Sequence, residues 1–377
     1  MYSSYSSLQQ SQLAAQGYYD TQSTYLLVYA PGRNTALRAT LADQLHRKFR
    51  LADTLGSALT EGVDGVLLVS EDVECMSTAL MCFAKALQDG ADYAVCNAVF
   101  GFGGATALYQ SRAHLAQNRC ALVSRPLLER CRAAAKDPEN VTELLALAAQ
   151  FCAHPTRIPQ ALLHYERDIC AEDAFSATGK RAFLMSHVLD MTGAPIVLVS
   201  AVPVLRSMGY EVVVLGPSDG GALQLFVDAG AAVITRPGIR ATPNLWGLAL
   251  CTDLVLVNTV VMARTVRALS GTAVPVLWWL HDAFAGYPHI AHQIPTKLAE
   301  NVRLYSVGHH AANAMHAVRP DFQIGQLIYG LPDYAAEDFP RCDLGYPADK
   351  PLFATVGSFE RRKGHDIFCA AIRLLPE

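Results

Sequence analysis

The sequence lacks the patterns that define several common protein classes. None of its ten cysteines forms a Cys-x-x-Cys pair or has zinc-site spacing to a histidine. No apolar run approaches the roughly 18 residues of a membrane-spanning helix. No Gly-x-Gly-x-x-Gly is followed by an acidic residue about 20 positions on, which disfavours a nucleotide-binding oxidoreductase. Most cysteines lie inside apolar runs, as buried thiols of a cytosolic protein do.

Charge is sparse as well. Charged residues make up 17% of the 377 residues and hydrophobic residues 51%, which is the composition of a folded chain. Thirty Lys and Arg against 34 Asp and Glu give a net charge of -4, which argues against nucleic acid as a partner. Residues 1–23 are rich in Ser, Gln and Tyr and lack the features of a signal peptide, so we expect a flexible tail there.

Apolar runs alternate with helical periodicity, which predicts an α/β protein. The first stretch, 24–165, favours a parallel or mixed sheet covered by helices. The second, 181–331, repeats strand and helix in the manner of a doubly wound, Rossmann-like domain. We expect linkers at 166–180 and 332–350. We also expect 351–377 to supply a strand, Leu352–Val356, and a helix that begin a further, incomplete domain.

The loop after the strand at 181–186 is one candidate site. It reads Thr192-Gly193-Ala194-Pro195 and opens a helix. Gly193 would let a ligand approach the backbone, and Pro195 suits the first helical turn. The amino end of the helix offers N–H groups and a partial positive charge to an anion. A purely structural turn has the same pattern.

Two further candidates carry charge or an imidazole. Arg361, Arg362 and Lys363 stand between a predicted strand and a helix, where three cations suit a diphosphate. A solvated basic turn explains them equally well. His281 follows the predicted strand Pro275–Leu280, at the edge where α/β folds bind ligands, although a lone histidine is more often part of a core.

These residues together resemble glycosyltransferase family 4. The resemblance covers roughly 181–377 and rests on Phe183–Leu215, on His281-Asp282, on Tyr329–Pro332 and above all on VGSFERRKGHDIFCAAIRLL, which ends at Leu375. It implies a GT-B fold, in which two Rossmann-like domains face each other across a cleft. It also implies transfer of a sugar from a nucleotide-sugar donor with retention of anomeric configuration.

The resemblance implies a role for each candidate residue. Lys363 and Arg362 would bind the donor diphosphate together with Gly193, Thr192 and Gly193 would form the acceptor-side loop, and His281 would be the catalytic histidine of the cleft. The site would need no metal cofactor. Two departures stand out: Gly357-Ser358 replaces the Gly-Arg of many members, and the paired glutamates of the family would lie beyond Glu377.

The first stretch resembles a family 2, GT-A glycosyltransferase more weakly. Val66–Val73 looks like its strand and acidic motif, but Ser70-Glu71-Asp72 stands in place of Asp-x-Asp. Hard cations prefer several oxygen ligands, so we do not expect Mn or Mg at Asp72, and we expect this GT-A-like domain to be degenerate. A helix cap by Ser70 or Asp72 explains the motif without a metal.

The sequence therefore predicts a cytoplasmic glycosyltransferase of hexosyl type that acts in polysaccharide or cell-surface glycan synthesis. Its partners would be a nucleotide-sugar donor and a glycan or lipid-linked acceptor, reached by peripheral association with the cytosolic face of a membrane. The alternative is a non-catalytic binding or scaffold module derived from glycosyltransferase domains.

Overall fold

The computed structural model describes residues 21–56, 58–59, 62–101, 106–110, 119–175, 179–239, 247–330, 345–346, 351–357, 359 and 361–375. Contacts divide the chain into two compact units, Met1–Tyr329 and Gly330–Glu377, and each is described by itself. Within the described residues, no helix has both the length and the apolar character that crossing a bilayer requires.

The first stretch of the larger unit combines strands and helices in mixed order. Its strands are β1 (Leu26–Tyr29), β2 (Phe49–Ala52), β3 (Gly65–Val69), β4 (Glu74–Cys75), β5 (Tyr93–Gly101), β6 (Thr106–Gln110), β7 (Cys120–Ser124) and β8 (Thr156–Asp168). Its helices are α1 (Thr35–Leu41), α2 (Ala79–Gln88), α3 (Arg125–Ala134), α4 (Val141–Phe151) and α5 (Ala171–Ala174). Local capping defines two of these helices, because the side chains of Ser124 and Asn140 accept hydrogen bonds from the first turns of α3 and α4.

The second stretch alternates strand and helix, as predicted. Its strands are β9 (Lys180–Met185), β10 (Tyr210–Gly216), β11 (Ala232–Thr235), β12 (Leu254–Asn258), β13 (Val276–Leu280), β14 (Val302–Ser306) and β15 (Ile324–Gln326). Its helices are α6 (Gly193–Ser207), α7 (Leu223–Asp228), α8 (Ala263–Leu269) and α9 (His309–His316). The strands pair in parallel in the order β11-β10-β9-β12-β13-β14-β15. This is a doubly wound α/β arrangement, and the predicted fold class is confirmed.

One sheet runs through both stretches. Strand β6 pairs antiparallel with β11, with Gln110 opposite Val233 and Leu108 opposite Thr235. The sheet continues from β6 through β5, β7, β3 and β1 to β2. The expected linker 166–180 contains the end of β8, helix α5 and the start of β9. The domain boundaries drawn from the sequence remain a prediction.

The core follows the alternation of side chains along the strands. On one face, a continuous apolar cluster joins Leu26 and Phe83 of the first stretch to Phe183 and Trp278 of the second. The opposite face carries separate clusters, one around Tyr93 in the first stretch and one around α6 and α7 in the second. Residues of successive positions in β1 and β9 divide between the two faces, as the period of two requires.

The smaller unit contains only part of the expected β-α pair. Residues 351–357 form no strand, so the prediction at Leu352–Val356 is wrong. Leu352, Phe353 and Val356 are exposed there, and without a hydrogen-bonded neighbour an extended segment does not become part of a sheet. The expected helix is present as α10 (His365–Ile372), and it begins after Gly364, whose φ is +67°.

The contact between the loops that follow β9 and β10 depends on glycine. A Cβ on Gly220 would overlap the carbonyl group of Leu189, and Ala222 donates its N–H to that carbonyl oxygen at 2.9 Å. Gly220→Ala should therefore lower the free energy of unfolding by about 1–3 kcal/mol, because two backbone segments must separate. Urea denaturation measures this, with Gly247→Ala as the control, because the space around Gly247 is open and its effect should stay within about 0.5 kcal/mol. Equal losses in both variants would contradict the packing argument.

Candidate functional site

The strand order reverses between β9 and β12. Connections leave these two strands in opposite directions, so a crevice opens beyond their carboxyl ends, and doubly wound folds bind ligands there. The loop after β9 runs from Ser186 to Thr192 and leads into α6, while Asn258 ends β12. His281 and Asp282 follow β13, the next strand along the sheet. The structure thus places the predicted Gly193 loop and His281 at the same edge of one sheet.

The amino end of α6 lies open. Gly193 is its first residue and is exposed. Apart from its chain neighbours and the backbone of α6 itself, no heavy atom of the described residues lies within 4 Å of the point where a Cβ would stand. Thr192 occupies the cap position but makes no side-chain hydrogen bond to the helix, and its hydroxyl instead donates to Asp190 Oδ1 at 2.5 Å. The first turn of a 15-residue helix therefore has no side-chain cap, which leaves its positive end available to an anion.

Residues at the end of β12 connect the loops on both sides of the crevice. Asn258 is fully buried, and its Nδ2 donates to the carbonyl oxygen of Ala194 in the first turn of α6 at 3.0 Å. Val260 donates its N–H to Asp282 Oδ2 at 2.7 Å. The sequence analysis missed Asn258, because an asparagine at the end of an apolar run gives no signal of which neighbouring loop it will contact.

His281 is half-buried and electrically neutral at ordinary pH. Burial, together with the nearby charge of His187, lowers its pKa from 6.5 to about 4. Its ring centroid lies 4.8 Å from that of Trp279, and no described residue forms a hydrogen bond with its buried Nε2. A neutral imidazole can donate or accept a hydrogen bond but supplies no positive charge to a phosphate.

Several buried polar atoms at this edge have no hydrogen-bond partner among the described residues. Asp282, whose pKa burial raises despite the N–H of Val260, lies beside them. The unpartnered atoms are Asn258 Oδ1, His281 Nε2, the Tyr287 hydroxyl and Ser306 Oγ. Buried polar groups in folded proteins are nearly always hydrogen-bonded, to the protein, to water or to a ligand. This group of donors and acceptors suits ordered water or the hydroxyl groups of a polar ligand.

The predicted cations belong to the smaller unit. Arg361–Lys363 form a single 3-10 turn before α10. Lys363 is exposed, and a Cβ on Gly357 would lie 3.5 Å from its Cδ, so the lysine side chain passes close to this glycine. The backbone of Arg362 lies in this turn, and its side chain is outside the described part of the structure.

A cavity of about 370 Å³ lies next to this turn. It is lined by Phe359, Arg361, His365 and Asp366. The rings of Phe359 and His365 meet edge to face with centroids 5.4 Å apart, and the buried His365 Nδ1 forms no hydrogen bond within the described part of the chain. Thr192, Gly193 and His281 belong to one unit, whereas Arg362 and Lys363 belong to the other.

The acidic residue of the first stretch caps a helix. Asp72 Oδ2 accepts hydrogen bonds from the Thr35 hydroxyl at 3.0 Å and from the N–H of Ala36 at 3.1 Å, and Oδ1 accepts from the N–H of Leu37 at 3.1 Å. Both carboxylate oxygens are thereby engaged at the amino end of α1. Across the described residues, no three or more His, Cys, Asp and Glu side chains form a group that could hold a metal ion.

A second carboxylate, from Glu139, fills the same edge of the first stretch. It accepts the N–H of Leu55 at 2.6 Å and that of Gly56 at 2.8 Å, just beyond β2. The hydroxyl of Tyr29, the last residue of β1, also donates to it at 3.1 Å. The carboxyl ends of β1 and β2 are thus occupied by the protein's own anion, in contrast to the open crevice at β9 and β12.

Removing the cap of α1 should cost stability. Asp72→Ala is expected to lower the free energy of unfolding by about 1 kcal/mol at neutral pH, because three hydrogen bonds to the helix end are lost. Burial alone would raise the pKa of Asp72, but these hydrogen bonds lower it. The stabilisation is therefore present above the ordinary pKa and disappears as the pH falls through the lowered one.

Urea denaturation at neutral and acid pH tests this prediction. Asp53→Ala is the control, since Asp53 touches α1 only through an exposed ion pair with Arg38, and its loss should stay below about 1 kcal/mol at each pH. An Asp72→Ala penalty that persists unchanged at acid pH would contradict the assignment.

The state of His281 should be visible in the pH dependence of stability. As the pH falls from about 6.5 to about 4, His281 takes up a proton in the unfolded chain but not in the folded protein. The free energy of unfolding should therefore decrease as the pH falls through this range. His281→Asn should flatten that slope. In addition, the imidazole NMR signals of His281 should titrate with a midpoint near 4. A midpoint at the ordinary value of 6.5 would show that the ring is hydrated.

Comparison with known proteins concerns the segment just described. Residues 178–316 match the family model described as Glycosyl-transferase family 4. The match extends from just before β9 to the end of α9, so it includes Gly193 and His281, and it ends before Lys363. No curated protein and no solved structure matches the chain. The segment from 178 to 316 is therefore similar to a glycosyltransferase family 4 domain, which supports glycosyltransferase activity in the broad sense.

Proposed function

We propose that the protein is a glycosyltransferase of hexosyl type that transfers a sugar from a nucleotide-sugar donor to a glycan or lipid-linked acceptor, with retention of anomeric configuration. One observation carries this proposal: the segment that matches the family model contains the reversal of strand order, and the uncapped amino end of α6 and His281 both lie at that edge of the sheet. Similarity of fold and family does not by itself assign an activity, so the proposal also rests on the chemical groups at this edge of the sheet.

The amino end of α6 would hold the phosphates of the donor. Gly193 has open space around it, so a phosphate oxygen can approach the backbone as closely as hydrogen bonding requires. The helix field and the N–H groups of the first turn favour a dianionic group there. Thr192 and Asp190 lie exposed beside this loop and would face the acceptor, whose hydroxyl groups a carboxylate can bind.

His281 would contact the sugar. A neutral, half-buried ring just beyond β13 can hydrogen-bond to a sugar hydroxyl without attracting the anionic part of the donor. The nearby Asn258 Oδ1 and Ser306 Oγ, both buried and unpartnered, extend the same hydrogen-bonding capacity. A hydroxyl-rich ring is the ligand that uses the most of these groups.

Lys363 and Arg362 would stabilise the leaving nucleoside diphosphate. Negative charge develops on that group as the bond to the sugar breaks, and fixed cations are most effective at that point. Lys363 stands immediately before α10, whose amino end adds a field of the same sign. Charge neutralisation in this proposal comes from the protein's own side chains, without a metal cofactor.

The first stretch fits a different role. Asp72 and Glu139 occupy the edge at which a GT-A-like domain would hold its donor. We infer that this stretch is degenerate in chemistry and serves as a structural extension of the sheet, joined through β6 and β11. The scaffold alternative therefore applies best to this part of the chain. The acceptor would be met in the cytoplasm, at the cytosolic face of a membrane where it is lipid-linked.

A turnover assay tests the proposal. The purified protein is incubated with UDP-, GDP- and ADP-linked hexoses, each with and without a lipid-linked or soluble glycan, and release of the nucleoside diphosphate is measured. Acceptor-dependent release from at least one donor is expected. No release from any combination, by a protein shown to be folded, would count against the activity and favour the scaffold alternative.

Lys363→Ala should lower kcat/KM in that assay by about 10- to 1,000-fold. A charge-assisted hydrogen bond to a phosphate contributes about 1.5–3 kcal/mol, and more when it strengthens in the transition state. Arg373→Ala is the matched control, because Arg373 is exposed at the other end of α10 and should change kcat/KM less than about twofold. Similar rates for both variants, with unchanged circular dichroism, would remove Lys363 from the donor site.

A further inference from the structure

Thr259 has an unusual backbone conformation at the crevice. Its φ is +72° and its ψ is 161°, and among the described residues it is the one non-glycine with positive φ. Glycine adopts this region freely, whereas a β-branched residue occupies it only at a cost in free energy. Thr259 is also 1% exposed and immediately follows β12, next to the reversal of strand order.

The surrounding residues hold this conformation from several sides. The N–H of Thr259 donates to the Trp279 carbonyl oxygen at 2.8 Å, and its own carbonyl oxygen accepts from Trp278 Nε1 at 2.8 Å. Its neighbour Asn258 donates a hydrogen bond to the first turn of α6, and its neighbour Val260 donates one to Asp282 in the loop after β13. Backbone strain persists where the structure around it leaves no alternative, and such places are often functional.

The side chain of Thr259 reaches the loop after β9. Its Oγ1 lies 3.2 Å from Nδ1 of His187. His187, in the loop after β9, is close enough to His281, which follows β13, to lower its pKa. Thr259 follows β12, the strand that lies between these two in the sheet. A threonine hydroxyl can donate to this ring nitrogen or accept from it, and either hydrogen bond fixes the plane of the ring.

We propose that Thr259 is a positioning residue: its hydroxyl orients the His187 imidazole beside His281, and His187 is a further contact for the ligand in the crevice. The part of this proposal that concerns the ligand rests on the proposed glycosyltransferase function. Glycine would relieve the backbone at 259 but could not hold the ring. A requirement for the hydroxyl explains why a strained threonine, rather than a glycine, stands at position 259.

Three substitutions separate the hydroxyl from the strain. Thr259→Ser keeps the hydroxyl, Thr259→Ala removes it and retains the strain, and Thr259→Gly removes both. Three quantities are measured for each variant: the unfolding equilibrium constant in urea, the imidazole ¹⁵N and ¹H NMR signals of His187, and kcat and KM on the donor that the parent protein turns over.

The value of kcat should depend on whether residue 259 carries a hydroxyl, and the stability difference between the alanine and glycine variants should depend on the backbone strain. Thr259→Ser should keep the parent's His187 signals and kcat. Thr259→Ala and Thr259→Gly should both shift the imidazole signals of His187 and lower kcat by about 3- to 10-fold, the value of one hydrogen bond, with KM nearly unchanged. The unfolding equilibrium constant of Thr259→Gly should be no larger than that of Thr259→Ala.

Ala263→Gly is the matched control for the stability comparison. Ala263 is fully buried four residues further on, and its φ of -53° is that of an ordinary helix. There the change from alanine to glycine should raise the unfolding equilibrium constant about 2- to 5-fold, because glycine loses more backbone entropy on folding. If the unfolding equilibrium constant does not rise in the same way from Thr259→Ala to Thr259→Gly, the difference from the control measures the backbone strain at 259.

Two results would overturn the proposal. One is a Thr259→Ala protein with the parent's His187 signals and kcat, and the other is a Thr259→Gly protein that loses stability relative to Thr259→Ala as the control does. If the parent turns over no nucleotide sugar, the proposed function fails by itself, and the NMR and stability measurements still decide whether Thr259 positions His187.

Discussion

The reversal of strand order between β9 and β12 is the constraint on which this structure depends. Adjacent parallel strands whose connections leave on opposite sides cannot cover the gap between their ends. The chain fills part of that gap with Asn258 and Thr259, which connect the two sides by hydrogen bonds. What remains open lies against Gly193 and His281, so topology and side chains together define the crevice.

The two stretches of the sheet differ at the edge formed by the carboxyl ends of their parallel strands. Beyond β1 and β2, Glu139 supplies the negative charge that the exposed N–H groups attract, and Asp72 does the same for α1. An anionic ligand would have to displace a carboxylate held by covalent connection to the protein. Beyond β9 no side chain plays this part at α6, and the field of the helix is directed outward.

Much of the fold could be predicted because buried strands and helices have characteristic patterns of apolar residues in the sequence. The short apolar runs at 65–69 and 254–258 predict buried strands, and β3 and β12 have these bounds. The sequence of 42–49 favours a short helix, but this prediction is wrong: the helix lies earlier, at Thr35–Leu41, where Asp72 from a distant loop caps it. Such a cap depends on tertiary structure and leaves no local pattern.

The candidate site was predictable only in part, for a related reason. Gly193 and His281 stand at strand ends, so their place at one edge follows from topology. The roles of Thr259 and Glu139 could not be read from sequence, because each depends on a neighbour brought close by folding, His187 for one and Leu55 for the other.

The antiparallel pairing of β6 with β11 has a consequence for how this protein can change over evolution. An unpaired outer strand is a template for another chain, and the second stretch would present β11 in that way if it stood alone. Strand β6 removes that liability from within the same polypeptide. A different sequence that replaces the first stretch must therefore supply a strand that pairs with β11. Otherwise the remaining protein exposes an unpaired strand that can pair with another chain.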